Sequence, residues 1–165
     1  MMEKRNLYID FDGVILDTMK EIKKDYQKAD TSTKAKEKSF FVNYPWEKII
    51  NDQHLIGNAI SDIQEIIDTD KFNLAILTHV NSINEATLKI KYLRKYFKDI
   101  TIIPCPKEIS KTKMIKTKDA ILIDDYKGNL NEWKEEGGIS IKFSRKNKSS
   151  QHPVIKEIKE ILQII

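Results

Sequence analysis

Cysteine is nearly missing from this 165-residue chain, where Cys105 stands alone. That excludes an internal disulfide and any cysteine-rich zinc site, and leaves oxygen atoms as the means of holding a metal. Glycine and proline are also scarce, at five and four residues, and no internal repeat or low-complexity tract is evident, which fits one ordinary globular domain over 1–165. The longest apolar runs are about five residues, against the roughly 20 that a membrane span needs, so a membrane-spanning chain is excluded. The opening Met1-Met2-Glu3-Lys4-Arg5-Asn6 leads straight into a short apolar run ending in an acid. It lacks the long apolar region of a secretory signal, and the chain is expected in the cytoplasm.

What the chain does have is charge together with enough apolar residues for a core: 33% charged and 40% hydrophobic, a balance that argues against disorder. The net charge of +4 is unevenly spread, because residues 89–118 hold ten basic groups against two acidic ones. The plain reading is a lysine-rich solvated helix face. The sharper one is a positive field that draws anionic substrates, nucleic acid included.

Three short apolar runs each stop at a residue able to do chemistry: Leu7–Ile9 before Asp10, Leu74–Leu77 before Thr78, and Ala120–Ile123 before Asp124. Runs of this kind fit strands buried on both faces, and two more are expected at Ile100–Ile103 and Ile139–Phe143. Ser82-Ile83-Asn84-Glu85 is a capping-box pattern, and Ala86, Ile90, Leu93 and Phe97 follow it at helical spacing, predicting a helix of about four turns. A second stripe runs from Leu55 to Ile67, and Pro153 to Leu162 predicts a last amphipathic helix. Strands alternating with helices predict an α/β fold, an open, mainly parallel, doubly wound Rossmann-like sheet. Ligands of such sheets bind beyond the carboxyl ends of the strands, which is where all three capable residues fall. Residues 17–53 break the alternation and read as a small cap inserted after the first strand. Within it, Asp30–Lys38 reads as a polar loop, and Phe40, Phe41, Tyr44 and Trp46 read as cap core, or as a stacking platform for a substrate.

An acid pair such as Asp10-Phe11-Asp12, followed by Gly13 for a sharp bend, is a weak signal by itself. Its company strengthens it: Thr78 after a second strand, lysines at Lys107, Lys111 and Lys113, and Asp124-Asp125 after a third. Phosphoryl transfer asks for this set. A carboxylate nucleophile divides the hydrolysis of a phosphate ester into two displacements, provided its charge and that of the phosphate are neutralised. Mg²⁺ held by one or two carboxylates does this, and Asp10 and Asp124 can supply them. Asp12 is then free to protonate the leaving oxygen and later to take a proton from water. A threonine hydroxyl and a lysine ammonium complete the cradle.

These residues resemble the four motifs of the haloacid dehalogenase-like phosphohydrolase superfamily, over most of the chain. Asp10-Phe11-Asp12-Gly13-Val14-Ile15-Leu16-Asp17 is similar to its first motif. The likeness implies that Asp10 is the nucleophile and a Mg²⁺ ligand, and that Asp12 is the acid and base, ligating through its backbone carbonyl. Thr78 matches the second motif, with His79 beside it either a further phosphate ligand or a structural histidine. The lysine of the third motif falls on Lys111, with Lys113 as its competitor. Asp124-Asp125 match the fourth, Asp125 either ligating the metal or holding its water. The segment Leu122–Tyr126, with Asn129-Leu130, Trp133, Gly137-Gly138 and Ile141–Phe143, is similar to the small 5'-nucleotidase and 5'(3')-deoxyribonucleotidase-like branch. That implies a nucleoside monophosphate as substrate. Tyr126, Asn129 and Trp133 are expected to order the loop and helix after the acids, and Cys105 has no assigned role. A nucleic-acid end phosphatase, a receiver-like domain and a catalytically silent scaffold are the other readings. The receiver places its paired acids first, whereas here they come last.

Overall fold

The computed structural model describes residues 3–146 and 149–165, so Met1 and Met2 of the opening segment lie outside it. Its frame is a sheet of six strands: β1 (Arg5–Ile9), β2 (Phe72–Val80), β3 (Thr101–Pro106), β4 (Ile121–Asp124), β5 (Ile139–Phe143) and β6 (Val154–Ile155). They lie in the order β3-β2-β1-β4-β5-β6, with every neighbouring pair parallel. The chain lays strands outward from β1 on one side and then restarts at β4 on the other, so the switch point lies between β1 and β4.

Period-two alternation divides the strand residues between two apolar layers. Leu7, Ile9, Ile76, Ile121, Ile123, Ile141 and Phe143 join the larger core, while Tyr8, Leu77 and Leu122 face the smaller one built on Leu130 and Trp133. Each fully buried Ile or Leu contributes about 1.5–3 kcal/mol relative to an exposed one, which makes the central strands the most strongly held part of the molecule.

Among the described residues six α-helices fill the connections, α1 (Met19–Lys28), α2 (Lys34–Val42), α3 (Ala59–Asp68), α4 (Ile83–Arg94), α5 (Lys111–Met114) and α6 (Lys127–Glu135), and a seventh, α7 (Ile161–Ile164), follows the last strand. Three local expectations are corrected. Asp30–Lys38 is not all loop, because the Thr33 side chain accepts from Lys36 N and starts α2 at Lys34. The C-terminal segment is not one helix: Val154 and Ile155 are taken up as an edge strand beside Lys142 and Phe143, and a capping box at Glu157 and Glu160 starts a short helical turn after them. The capping box at α4 is only half made. Ser82 Oγ accepts from Glu85 N at 3.1 Å, but the Glu85 carboxylate turns to the backbone N–H of Asn81 at 2.7 Å.

The aromatics between Tyr26 and Trp46 fasten α1 and α2 to each other and to the larger core. Tyr26 meets Phe40 and Phe41 with ring centroids 5.4 and 5.8 Å apart, and Tyr44 and Trp46 are buried in the larger core. No helix among the described residues is long and apolar enough to cross a membrane.

Candidate active site

The end of β1 is shaped by backbone geometry before any side chain acts. Asp10 N donates to Ile123 O at 2.9 Å, which carries the pairing with β4 one residue past the strand. The chain then folds back, with the N–H groups of Val14, Ile15 and Leu16 all directed at Phe11 O, and Gly13 N donating to Leu16 O at 2.8 Å. Gly13 has φ +77°, where side chains are strained, and a Cβ there would stand 2.0 Å from Asp125 Oδ2. No other residue fits.

Asp10 and Asp124 end adjacent strands, and the Lys111 ammonium lies between them, 2.9 Å from Asp10 Oδ1 and 2.8 Å from Asp124 Oδ2. Asp124 also accepts from Tyr126 N at 2.9 Å and Asn129 Nδ2 at 3.0 Å. Of the two candidate lysines it is therefore Lys111 that the fold brings to the acids; Lys113 is exposed. Asp125 completes the group: one carboxylate oxygen from each of Asp10, Asp124 and Asp125 lies within 4.8 Å of the others.

This concentration of acid shapes the electrostatics. Burial pushes the Asp10 carboxyl well above the ordinary range and the Asp124 charge pushes it further, with Lys111 opposing both. Burial acts on Asp124 in the same direction, but Lys111 and the Tyr126 and Asn129 N–H groups hold it below its usual value. Asp125, raised by burial and by Asp124 and Asp12, is pushed up to about 7. Three carboxylates around one ammonium leave negative charge unbalanced in a poorly solvated place. An all-oxygen donor set of this kind fits a hard divalent cation such as Mg²⁺.

A second ion cluster stands on the other side of the same turn, and sequence reasoning did not find it. Lys89, fully buried on α4, donates to Asp12 Oδ2 at 2.7 Å, to Thr78 Oγ1 at 2.9 Å and to His79 O at 3.0 Å, and pairs with Glu85 Oε2 at 2.7 Å. Thr18 Oγ1 donates to Asp12 Oδ1 at 2.7 Å. Burial lowers the Lys89 pKa, but the Asp12 and Glu85 charges outweigh it, so the ammonium is held above its ordinary value and stays charged. Asp12 and Thr78 are thus gripped from behind by one cation.

A cavity of about 520 Å³ opens over both clusters, with Asp10, Asp12, His79, Ser110, Asp125 and Tyr126 among its walls. His79 lines it but shares its Nε2 with Ile109 O at 2.9 Å. Asn129 and Trp133 order the chain after the acids as expected, Trp133 Nε1 donating to Ala120 O at 2.9 Å. Tyr126 does so only through its backbone, since its side chain is exposed. A groove of about 630 Å³ beside Asp25, Lys36, Phe40 and Lys48 lies away from the acids, with Lys48 already paired to Asp25 at 3.0 Å.

No protein-family model matches the sequence, and no curated protein does. Solved structures do. A HAD phosphatase from Thermococcus onnurineus is 15% identical with a TM-score of 0.64, covering 97% of each chain. A D,D-heptose 1,7-bisphosphate phosphatase from B. bronchiseptica, complexed with magnesium and phosphate, is 9% identical with a TM-score of 0.60, covering 98% of this chain and 99% of that one. A HAD-superfamily hydrolase from Ehrlichia chaffeensis is 16% identical with a TM-score of 0.58, covering 99% and 97%. The fold is that of the haloacid dehalogenase-superfamily hydrolases. In this haloacid dehalogenase fold the chain brings Asp10, Asp12, Thr78, Lys111, Asp124 and Asp125 together at one end of the sheet.

Lys89, Glu85 and Thr18 were the residues missed. A signal for Lys89 did exist: with Ala86, Leu93 and Phe97 it falls on one face of the predicted helix, so a lysine sits in the middle of an apolar stripe. Glu85, four residues before it, is its natural partner. Thr18 had no comparable mark.

Proposed function

We propose that this protein is a Mg²⁺-dependent phosphomonoesterase that works through an aspartyl-phosphate on Asp10, on small phosphate esters and in particular (deoxy)nucleoside monophosphates, as a 5'-nucleotidase in the cytoplasm. On this reading the chain is one catalytic unit with residues 17–53 as a small cap. The observation that carries it is the meeting of Asp10 and Asp124 at Lys111, with Asp125 beside them.

Asp10 attacks phosphorus through a carboxylate oxygen, and the bond from phosphorus to the leaving oxygen breaks. The leaving oxygen takes a proton from Asp12. Oδ2 of Asp12 is committed to Lys89, whereas Oδ1 faces the Thr18 hydroxyl, which accepts as readily as it donates, so Oδ1 is the oxygen able to carry that proton. In the second step Asp12 takes a proton from the attacking water, the acyl-phosphate bond breaks, and phosphate leaves with Asp10 restored. Thr78 and Lys111 position the phosphoryl oxygens. Asp10, Asp124 and Asp125, with the Asp12 carbonyl, would hold Mg²⁺, which when bound supplies neutralisation of the phosphate and carboxylate charges.

The basic run at 89–118 does not require a nucleic acid, because two of its cations, Lys89 and Lys111, are internal partners of the acids. The test is a phosphate-release screen over nucleoside monophosphates, sugar phosphates and a 3'-phosphorylated oligonucleotide, with Mg²⁺ and with chelator. Release should depend on Mg²⁺ and fall on the order of 10⁴-fold in Asp10→Asn with the circular dichroism unchanged. Turnover retained by Asp10→Asn refutes the nucleophile, and oligonucleotide turnover with a steep salt dependence would replace the nucleotidase by an end phosphatase.

A further inference from the structure

We propose that Tyr126 is the platform on which the leaving group lies, and that this group carries a flat, uncharged aromatic ring system; the proposal rests on the phosphatase reading. Tyr126 is 64% exposed, directly after two acids of the site, and its side chain lines the cavity that contains Asp10. Its position is fixed from below, because its backbone N–H donates to Asp124 Oδ1 at 2.9 Å. The ring rests on Gly128 in the first turn of α6, where an added Cβ would stand 2.5 Å from Cε1 and 3.1 Å from the hydroxyl oxygen. Glycine in a helix is unfavourable relative to alanine, and here what it provides is the seat of the ring. The ring is thereby supported on the side of Gly128, while the side chain as a whole stays 64% exposed.

Two further exposed apolar side chains share the cavity: Met19, 40% exposed at the start of α1, and Ile109, 39% exposed two residues before Lys111. Three chain segments thus each leave an apolar side chain uncovered around one opening, with the acids at its buried end. Apolar walls around a few converging polar groups are the usual form of a small-ligand site. The charged groups of the outer part are Lys107, Glu108 and Glu132, one cation against two acids. That balance gives no welcome to a second phosphate or a carboxylate, so the remote part of the ligand is neutral. An aromatic ring stacked on Tyr126, with its phosphate at Asp10, uses both features.

The experiment compares kcat/KM for a nucleoside 5'-monophosphate with that for glycerol 2-phosphate, with acetyl phosphate as a ringless reference, in the wild type and in Tyr126→Ala, Tyr126→Phe and Gly128→Ala. The wild type should prefer the nucleoside. Tyr126→Ala should lower the nucleoside-to-glycerol ratio about tenfold, chiefly through KM, the size of one stacking contact, while Tyr126→Phe keeps the ratio. Gly128→Ala, which places a Cβ under the ring, should lower the ratio in the same direction. A ratio unchanged by Tyr126→Ala overturns the platform while leaving the phosphatase intact. Failure of the wild type to release phosphate from any of the three compounds overturns the phosphatase and the platform with it.

Discussion

Two lysines are buried a few residues from the same turn, and their surroundings differ in what they leave over. Lys89 comes near to closing its cluster: Asp12 and Glu85 share its ammonium, which leaves one negative charge in excess, and Thr18, Thr78 and Asn81 bond the remaining polar atoms. Lys111 leaves more over: Asp10 and Asp124 contact its ammonium, Asp125 adds a third carboxylate with an oxygen within 4.8 Å of theirs, and two of the three acids line the cavity. Both lysines are held in the charged state by their acids against the pull of burial. The Lys89 cluster leaves one negative charge over and the Lys111 cluster two, and the larger excess lies on the cavity wall, where the proposed cation and phosphate would sit.

The sharpest way to break this contrast is to remove each ammonium in turn. Lys111→Met should lose at least about 10³ in kcat and, without Mg²⁺, about 3–5 kcal/mol of stability, because buried carboxylates lose their partner. Adding Mg²⁺ should return much of that stability, by about 2.7 kcal/mol at a concentration a hundred times its Kd. Lys89→Met should lose a comparable 3–5 kcal/mol, and Mg²⁺ should return to it only the increment it gives the wild type, smaller than in Lys111→Met, where the acids have lost their competing ammonium. Urea melts with Mg²⁺ and with chelator check both, and equal rescue of the two variants would erase the distinction.

A second variant set tests the Lys89 cluster from within. The double variant Lys89→Met with Glu85→Met should recover stability relative to Lys89→Met alone, since an apolar pair replaces a broken ion pair. A double-mutant cycle reads the coupling, and simple additivity would show that the two side chains do not act together. Thr18→Val, which removes one hydrogen bond from Asp12, should lose about 1 kcal/mol of stability and lower kcat at unchanged KM. A rise in KM alone would place Thr18 with binding rather than with Asp12.

The smallest expected effect lies outside both clusters and serves as their reference. His152 is buried, with Ser140 Oγ 2.6 Å from its Nδ1 and Asn131 Oδ1 2.9 Å from its Nε2. Burial first, and then Lys134, Lys142 and Lys127, hold its pKa below the usual 6.5. The unfolded chain therefore takes up the proton first, so the stability due to neutral His152 is present above pH 6.5 and is lost as pH falls through the folded value. His152→Gln should flatten this part of the pH–stability curve while leaving the Mg²⁺ response alone. An unchanged curve would remove His152 from the account.

The strands and their order along the chain were legible because each is a short Ile- and Leu-rich run stopping at a polar residue, and such runs have few alternatives to a buried parallel strand. Leu7–Ile9 and Ala120–Ile123 are of this kind, whereas Val154-Ile155 was absorbed into a helical stripe, since two residues carry no period of their own. The α2 start was hidden for a related reason. Lys34–Lys38 offers no apolar side chain larger than that of Ala35, and only the Thr33 cap, visible once the backbone is placed, identifies it as helix. Among the residues that meet at the site, the sequence named those at strand ends and Lys111 on α5, but not Lys89 and Glu85 on α4 or Thr18. Lys89 lay in plain view on an apolar stripe, but a lysine there reads as a snorkelling surface residue until an acid is known to face it.

By itself the sequence determined which chemistry was on offer, because the placing of Asp10, Thr78 and Asp124 after apolar runs follows from local patterning alone. Only the tertiary structure decided which groups meet. It selected Lys111 over Lys113, added Lys89 behind Asp12, and turned Tyr126 outward, since these depend on which strands adjoin at the switch point and on charges that must be balanced once water is gone.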